Sequence, residues 1–168
     1  MTTRPVKTFF PQTRLSQVAT SPGGIARDEA IAGALKSVES MRQQGDAEIL
    51  RVMALIDQIV AGAGRVGLGA ASLRAILLHA DQIVTLAGTF GYDALDKVMR
   101  SMCDVADGLL HAGLSDVAPV AVHAQSMRLM APGASSLSDV ETARVLAGLA
   151  KILKHYNFVS LAGDEAAG

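Results

Sequence analysis

Apolar residues recur along most of the chain at intervals of three and four, the spacing of one face of an α-helix. The clearest case spans residues 73–113, where two apolar stripes flank a short break that contains glycine. These stripes comprise Leu73, Ile76, Ala80, Ile83 and Ala87, then Leu95, Val98, Met102, Val105 and Leu109. The pattern predicts a helical hairpin that turns around Gly91, with Asp93 capping the second helix.

Two helical segments are predicted before the hairpin. The first runs from about residue 27 to 44, residues 43–46 around Gly45 interrupt it, and the second follows and ends at about residue 61. A mild kink in one long helix is an alternative, because a single glycine costs a helix only ~1 kcal/mol relative to alanine. Residues 62–71 contain four glycines and are predicted to form a flexible connection to the hairpin.

Two further helices are predicted after the hairpin. Gly113 suits a helix C-terminal cap, and Ser115 is expected to cap the next helix. Ser138 and Glu141 have the spacing of a capping box, which marks the start of the last helix. That helix is expected to fade near residue 156 or 157 and to bury four apolar residues, Val145, Leu149, Ile152 and Leu153.

The two ends of the chain lack a sustained apolar period. Residues 1–24 hold three of the five prolines and are predicted to form an extended arm, whereas residues 158–168 form a C-terminal tail. Residues 25–157 are predicted to form an all-α domain, an antiparallel up-and-down four-helix bundle with an additional N-terminal helix. Its core helices are the one ending near residue 61, both hairpin helices, and one or both of the last two.

Composition and charge narrow the classes of partner. A chain of 168 residues, half of them apolar, can bury a core without disulfides or metals. Its net charge of −1 provides no electrostatic footprint for nucleic acid or an anionic membrane. The longest uninterrupted apolar run is far shorter than the ~20 residues that span a bilayer, and the N-terminus lacks the apolar centre of a signal peptide. We therefore expect a cytoplasmic protein with protein partners.

The run from Asp81 to Gly91 resembles the motif H-x-x-K-G-[SA]-A-x-x-[FL]-G of histidine-containing phosphotransfer (HPt) domains. Its second half matches at Ala87, Phe90 and Gly91. Asp81 stands where the family has its phospho-accepting histidine, and Val84 where it has the lysine that offsets phosphoryl charge. The resemblance implies a four-helix bundle and a degenerate HPt domain that lacks the phosphate acceptor.

In that family the corresponding surface docks the receiver domain of a response regulator, burying an apolar rim around the phosphorylated pair. Helical spacing gives the candidate partner-binding residues here: Leu77, Leu78, Asp81, Val84, Thr85 and Gly88. The alternative is that Asp81 is a solvated helix acid and that the patch packs against another helix of the same protein. Helical phosphatases of receiver domains use an acid and an amide to orient the attacking water, and Asp81 and Gln82 are residues of those two types. Gln82 lies about 100° around the helix from Asp81, which disfavours joint action of the pair on one phosphoryl group.

Phosphoryl chemistry at position 81 itself is not expected. An aspartate accepts phosphate readily only with a metal and a lysine nearby, and the sequence shows no such cluster. Four histidines remain as displaced acceptors, namely His79, His111, His123 and His155. No histidine pair has the i, i+4 spacing with a third ligand that indicates zinc, so neither a metal nor a cofactor is expected. The lone Cys103 is interpreted as a small residue near the core.

Three hypotheses for function follow from this pattern. The first is a non-catalytic, HPt-like adaptor of two-component signalling or a phosphorelay, which binds a receiver domain or a sensor kinase. The second is a structural or scaffolding bundle that forms a homodimer through the patch around Asp81. The third is an active phosphotransfer protein that uses a displaced histidine. Under the first two hypotheses the chain has no catalytic residue.

Overall fold

The computed structural model describes residues 24–135 and 137–158. Over these ranges the chain forms six helices and no strand, which confirms the prediction of an all-α protein: α1 Arg27–Ser40, α2 Arg42–Gly62, α3 Ala70–Phe90, α4 Asp93–Ala112, α5 Ala118–Leu129 and α6 Asp139–Tyr156. None of these helices has the length and apolar content needed to cross a membrane. The predicted arm up to residue 23 and the predicted tail from residue 159 lie outside the described residues.

The chain divides into two compact units. Described residues 24–37 belong to the first unit and residues 38–158 to the second. In the first unit α1 begins with Asp28 and Glu29, whose charges are favourable at a helix N-terminus. All other features described below belong to the second unit.

The break between the first two helices lies at Met41, so the prediction of a break around Gly45 is wrong. Gly45 is buried inside α2, and a Cβ atom there would stand 2.0 Å from Cε2 of Phe90. Glycine at this position makes room for an aromatic ring. It therefore serves packing between two helices and does not end one.

The core of the second unit is built from the predicted apolar stripes. All ten stripe residues of the hairpin are buried. Helix α3 packs against α2 and α4, helix α5 packs against α4 and α2, and α6 packs against α4 and α5. On α6 only Leu149 and Leu153 are buried, whereas Val145 and Ile152 are half-buried because this helix covers one side of the others.

The corner of the hairpin lies at Gly91, as predicted, and Gly91 adopts a left-handed conformation. Gly91 has φ +76°, and its amide and that of Tyr92 both donate to the carbonyl oxygen of Ala87. Asp93 does not cap the second helix, because the cap position is Tyr92 and no side chain bonds there. Asp93 is the first residue of α4, where its carboxylate still interacts favourably with the helix dipole.

The glycine-rich connection between α2 and α3 is held in place at its end. Leu68 is buried, and its amide donates to the carbonyl oxygen of Ser115 at 2.9 Å. Gly67 has φ +86° and approaches the same carbonyl so closely that a Cβ would be 2.3 Å from it. The prediction that the Ser115 side chain caps α5 is wrong. The Ala118 amide at the start of α5 instead donates to Asp116 Oδ1, at 2.9 Å.

Helix α6 has the predicted capping box. The Glu141 amide donates to Ser138 Oγ at 3.3 Å, and the Ser138 amide donates to Glu141 Oε2 at 2.9 Å. The helix ends at Tyr156, within the predicted range, and Asn157 follows with φ +55°. The Phe158 ring then packs on Gly108, where a Cβ would lie 2.4 Å from the ring.

Candidate functional site

The outer face of α3 carries four of the six candidate partner-binding residues in one line. Leu78 is 68% exposed, and Asp81, Thr85 and Gly88 are also exposed. Steps of three, four and three residues place them along one side of the helix. We call this line the α3 surface.

Leu77 and Val84, the other two candidates, are half-buried and pack against the apolar core. Their side chains therefore contribute to the fold as well as to the edge of the α3 surface. Val84 also carries no positive charge, whereas the HPt motif has a lysine at the corresponding position.

A groove of about 440 Å³ runs beside the α3 surface, between α2 and α3. Glu48 forms its α2 wall, and Gln82 Nε2 donates to Glu48 Oε1 across the groove at 3.0 Å. Arg51 donates two hydrogen bonds of 2.7 Å to the same carboxylate, and this is the main cause of the lowered pKa of Glu48. The charge of Glu48 is therefore balanced within the protein.

The carboxylate of Asp81 is different, because it makes no hydrogen bond or ion pair with any described residue. The nearby Thr85 hydroxyl donates to the backbone carbonyl of Asp81 at 3.1 Å and leaves the carboxylate free. The α3 surface thus combines an exposed leucine with an acid whose hydrogen-bonding capacity is available to a partner.

Helix α4 contributes two residues beside Asp81, Arg100 and Cys103, which the sequence interpretation missed. Burial is the main cause that raises the pKa of the Cys103 thiol to about 11, and the charge of Asp81 raises it further. The hydrogen bond with Asp96, at 2.9 Å, is the main cause that raises the pKa of Arg100, with a contribution from Asp81. The register of the hairpin could have predicted that both residues lie near Asp81, because residues equally far from the corner in the two helices face each other.

Three of the four histidines are at least partly accessible. His79 lines the α2–α3 groove, and its buried Nδ1 has no hydrogen-bond partner in the described part of the chain. His111 is exposed with Nδ1 3.2 Å from Asp107 Oδ1. His155 is exposed and stands edge-on to Tyr156.

His123 is fully buried between α4 and α5. Its Nδ1 lies 2.7 Å from the carbonyl oxygen of Pro119, and its Nε2 lies 2.9 Å from Ser101 Oγ. Because a carbonyl oxygen only accepts hydrogen bonds, Nδ1 carries the proton. Nε2 then accepts a hydrogen bond from the hydroxyl of Ser101. Burial lowers the pKa of His123, and with both nitrogens bonded the side chain is a structural group, not a phosphate acceptor.

In the described residues no group of His, Cys, Asp and Glu side chains could hold a metal ion. Comparison of the chain with protein-family models, with curated proteins and with solved structures gives no significant match. The site must therefore be interpreted from its own geometry and charge.

Proposed function

We propose that this chain is a degenerate HPt-like adaptor in a two-component pathway. Helices α2 to α5 form an antiparallel up-and-down four-helix bundle, α1 precedes it, and α6 packs on the α4–α5 side. The α3 surface binds the receiver domain of a response regulator, without carrying phosphate itself.

Pairs of bonded residues support the antiparallel order of α2 and α3. Arg42 near the start of α2 donates to the carbonyl oxygen of Phe90 at the end of α3, at 2.9 Å. Further along α2, Glu48 accepts from Gln82, which lies earlier in α3. Residue numbers rise along one helix as they fall along its partner.

The same argument supports the order of α2 and α5. Leu68, just after α2, bonds to Ser115, just before α5. Asp57 inside α2 accepts two hydrogen bonds from Arg128 near the end of α5, at 3.0 and 2.7 Å. With the hairpin between them, the four helices alternate in direction.

One observation carries the functional proposal: Asp81, whose carboxylate has no hydrogen bond or ion pair with the described residues, lies beside the exposed Leu78 on an outer helix face. Burying a leucine side chain in an interface is worth about 1.5–3 kcal/mol. An unpaired acid beside it adds electrostatic selectivity for a partner that presents a cation. Neither feature is needed for the core, since both side chains lie outside it.

The absence of phosphate transfer in this proposal follows from the chemistry at position 81. Phosphorylation of an aspartate requires a cation that offsets the charge of the phosphoryl group. Arg100, a cation whose charge interacts with that of Asp81, is bonded to Asp96. Asp81 therefore acts as a fixed negative charge that contributes to docking.

A binding experiment tests the proposal with a panel of purified receiver domains encoded by the same genome, each with and without beryllofluoride, a mimic of aspartyl phosphate. At least one receiver should bind, and Leu78→Asp and Asp81→Arg should each weaken that binding by about tenfold or more. Val140→Asp is the matched control, because Val140 on α6 is also 68% exposed. It should bind as the unmodified chain does.

Two results would overturn the adaptor proposal. One is that no receiver binds, or that the control weakens binding as much as the two α3 variants do. The other is that the chain has twice its monomer mass in solution and that Leu78→Asp halves it. That second result would replace the adaptor with the homodimeric scaffold.

A further inference from the structure

A second groove lies between α5 and α6, on the side of the second unit formed by those two helices. Its walls are apolar: Pro119 and Val122 come from α5, and Ile152 and Tyr156 from α6. Val122, one of these wall residues, is 41% exposed. A concave, mostly apolar groove with a few polar side chains at its edge is the usual form of a binding site.

The end of the groove is fixed by hydrogen bonds before any partner arrives. The Tyr156 hydroxyl donates to the carboxylate of Asp116, and the other oxygen of that carboxylate accepts the Ala118 amide at 2.9 Å. These bonds hold the ring of Tyr156 as one wall. They also engage Asp116, the acid beside the groove, with partners inside the protein.

Lys151 gives the rim of the groove a positive charge. Lys151 and His155 lie one turn apart on α6 and both line the groove, and neither makes an ion pair with a described residue. No carboxylate is among the lining residues. From Thr142 to Tyr156, α6 contains no acid at all.

We propose that this groove docks an acidic amphipathic helix of a partner protein. Apolar side chains spaced three and four apart would enter between α5 and α6, and a carboxylate flanking them would pair with Lys151. This inference depends on no part of the α3 surface, so it stands or falls independently of the adaptor proposal.

Two observations favour a helix over other ligands. The groove has a volume of about 280 Å³ and is lined by two neighbouring helices, α5 and α6, so a third helix can pack its apolar side chains between them. An extended peptide gains affinity from a free strand edge, and the described residues contain no strand. A helix satisfies its own backbone and needs only the apolar walls and the charged rim.

The test uses two synthetic peptides of about 16 residues, long enough to form several helical turns. They share one leucine stripe and differ only in its flanks, which carry Glu in one and Lys in the other. Fluorescence anisotropy measures their binding to the full chain. The Glu peptide should bind at least about tenfold more tightly than the Lys peptide.

Variants locate the binding. Val122→Glu should abolish binding of the Glu peptide, and Lys151→Glu should reverse the preference between the two peptides. Lys154→Glu is the matched control, since Lys154 is an exposed lysine of the same helix that does not line the groove. It should leave affinity within about twofold. If circular dichroism shows that Val122→Glu is unfolded, Val122→Thr replaces it with nearly the same side-chain shape.

Equal affinity for both peptides would overturn the proposal, as would undiminished binding by a folded Val122 variant. A doubled solution mass that Val122→Glu abolishes would also overturn it, because the groove would then be occupied by a second copy of the chain.

Discussion

The ring of Phe90 rests directly against the backbone of Gly45, 45 residues earlier in the chain, with no room for a side chain between them. Arg42 strengthens this junction, because its guanidinium lies 5.9 Å above the same ring and donates to the Phe90 carbonyl. The start of α2 is thereby joined to the end of α3.

We expect Gly45→Ala to destabilise the protein. Alanine favours a helix by ~1 kcal/mol over glycine, but displacing a buried ring in a packed core costs about 1–3 kcal/mol. The midpoint of urea unfolding should fall. Gly148→Ala is the control, because a Cβ at this helical glycine of α6 has nothing within 4 Å. It should be neutral or stabilising; equal effects of the two variants would show that the ring moves freely.

Gly91→Val should destabilise the protein by at least ~1 kcal/mol, because a β-branched residue is strained at φ +76°. Crowding is not the reason, since a Cβ at this position meets nothing within 4 Å. Gly91→Asn should cost less, as asparagine tolerates the left-handed region. Denaturant midpoints for the three proteins check the order, and equal losses for Val and Asn would contradict the conformational explanation.

Substitutions on the two sides of α3 should separate surface from core. Leu78→Asp should leave the free energy of unfolding nearly unchanged, because Leu78 is exposed. Val84→Glu should lower it by about 1–3 kcal/mol, because Val84 packs against the core and a carboxylate there is desolvated without a partner. Urea unfolding of both variants provides the comparison. A loss at position 78 as large as that at position 84 would mean that the α3 surface is part of the core.

Stability should fall in mild acid through His123. Burial is the main cause that lowers the pKa of this side chain in the folded state, and the Pro119 carbonyl and Asp104 act in the opposite direction. As the pH falls, His123 is therefore protonated in the unfolded chain before it is protonated in the folded chain. The stabilisation is complete above the unfolded pKa of about 6.5 and is lost as the pH falls from there through the folded pKa.

Melting temperatures measured between about pH 8 and pH 5 check this dependence. His123→Gln, which keeps a polar group beside Ser101, should have a shallower decline than the unmodified chain. Parallel curves for the two proteins would assign the pH dependence to other groups.

Sequence reasoning was most successful where the information is local. The apolar stripes from Leu73 to Leu109 give the hairpin, because burial on one helix face imposes a three-and-four spacing. The turn at Gly91 and the capping box at Ser138 are likewise set by a few neighbouring residues. Each of these features was confirmed.

The features that were missed depend on residues far apart in the chain. Gly45 suggests a helix break until its partner Phe90 is known. Ser115 suggests a helix cap until Leu68 is found to bond to its carbonyl. The position of Arg100 beside Asp81 can be predicted only when the register of the hairpin is known. Periodicity predicts which face of a helix is buried, but it does not predict what that face meets.

The bond from Leu68 to Ser115 has a consequence for the motions of the molecule. Composition alone predicts that a segment with four glycines exposes its amide hydrogens to exchange with solvent. The Leu68 amide is instead buried and bonded to a loop that leads into α5, so it can exchange only when the two loops separate. Its exchange rate therefore reports the opening of one end of the helical assembly, separately from global unfolding.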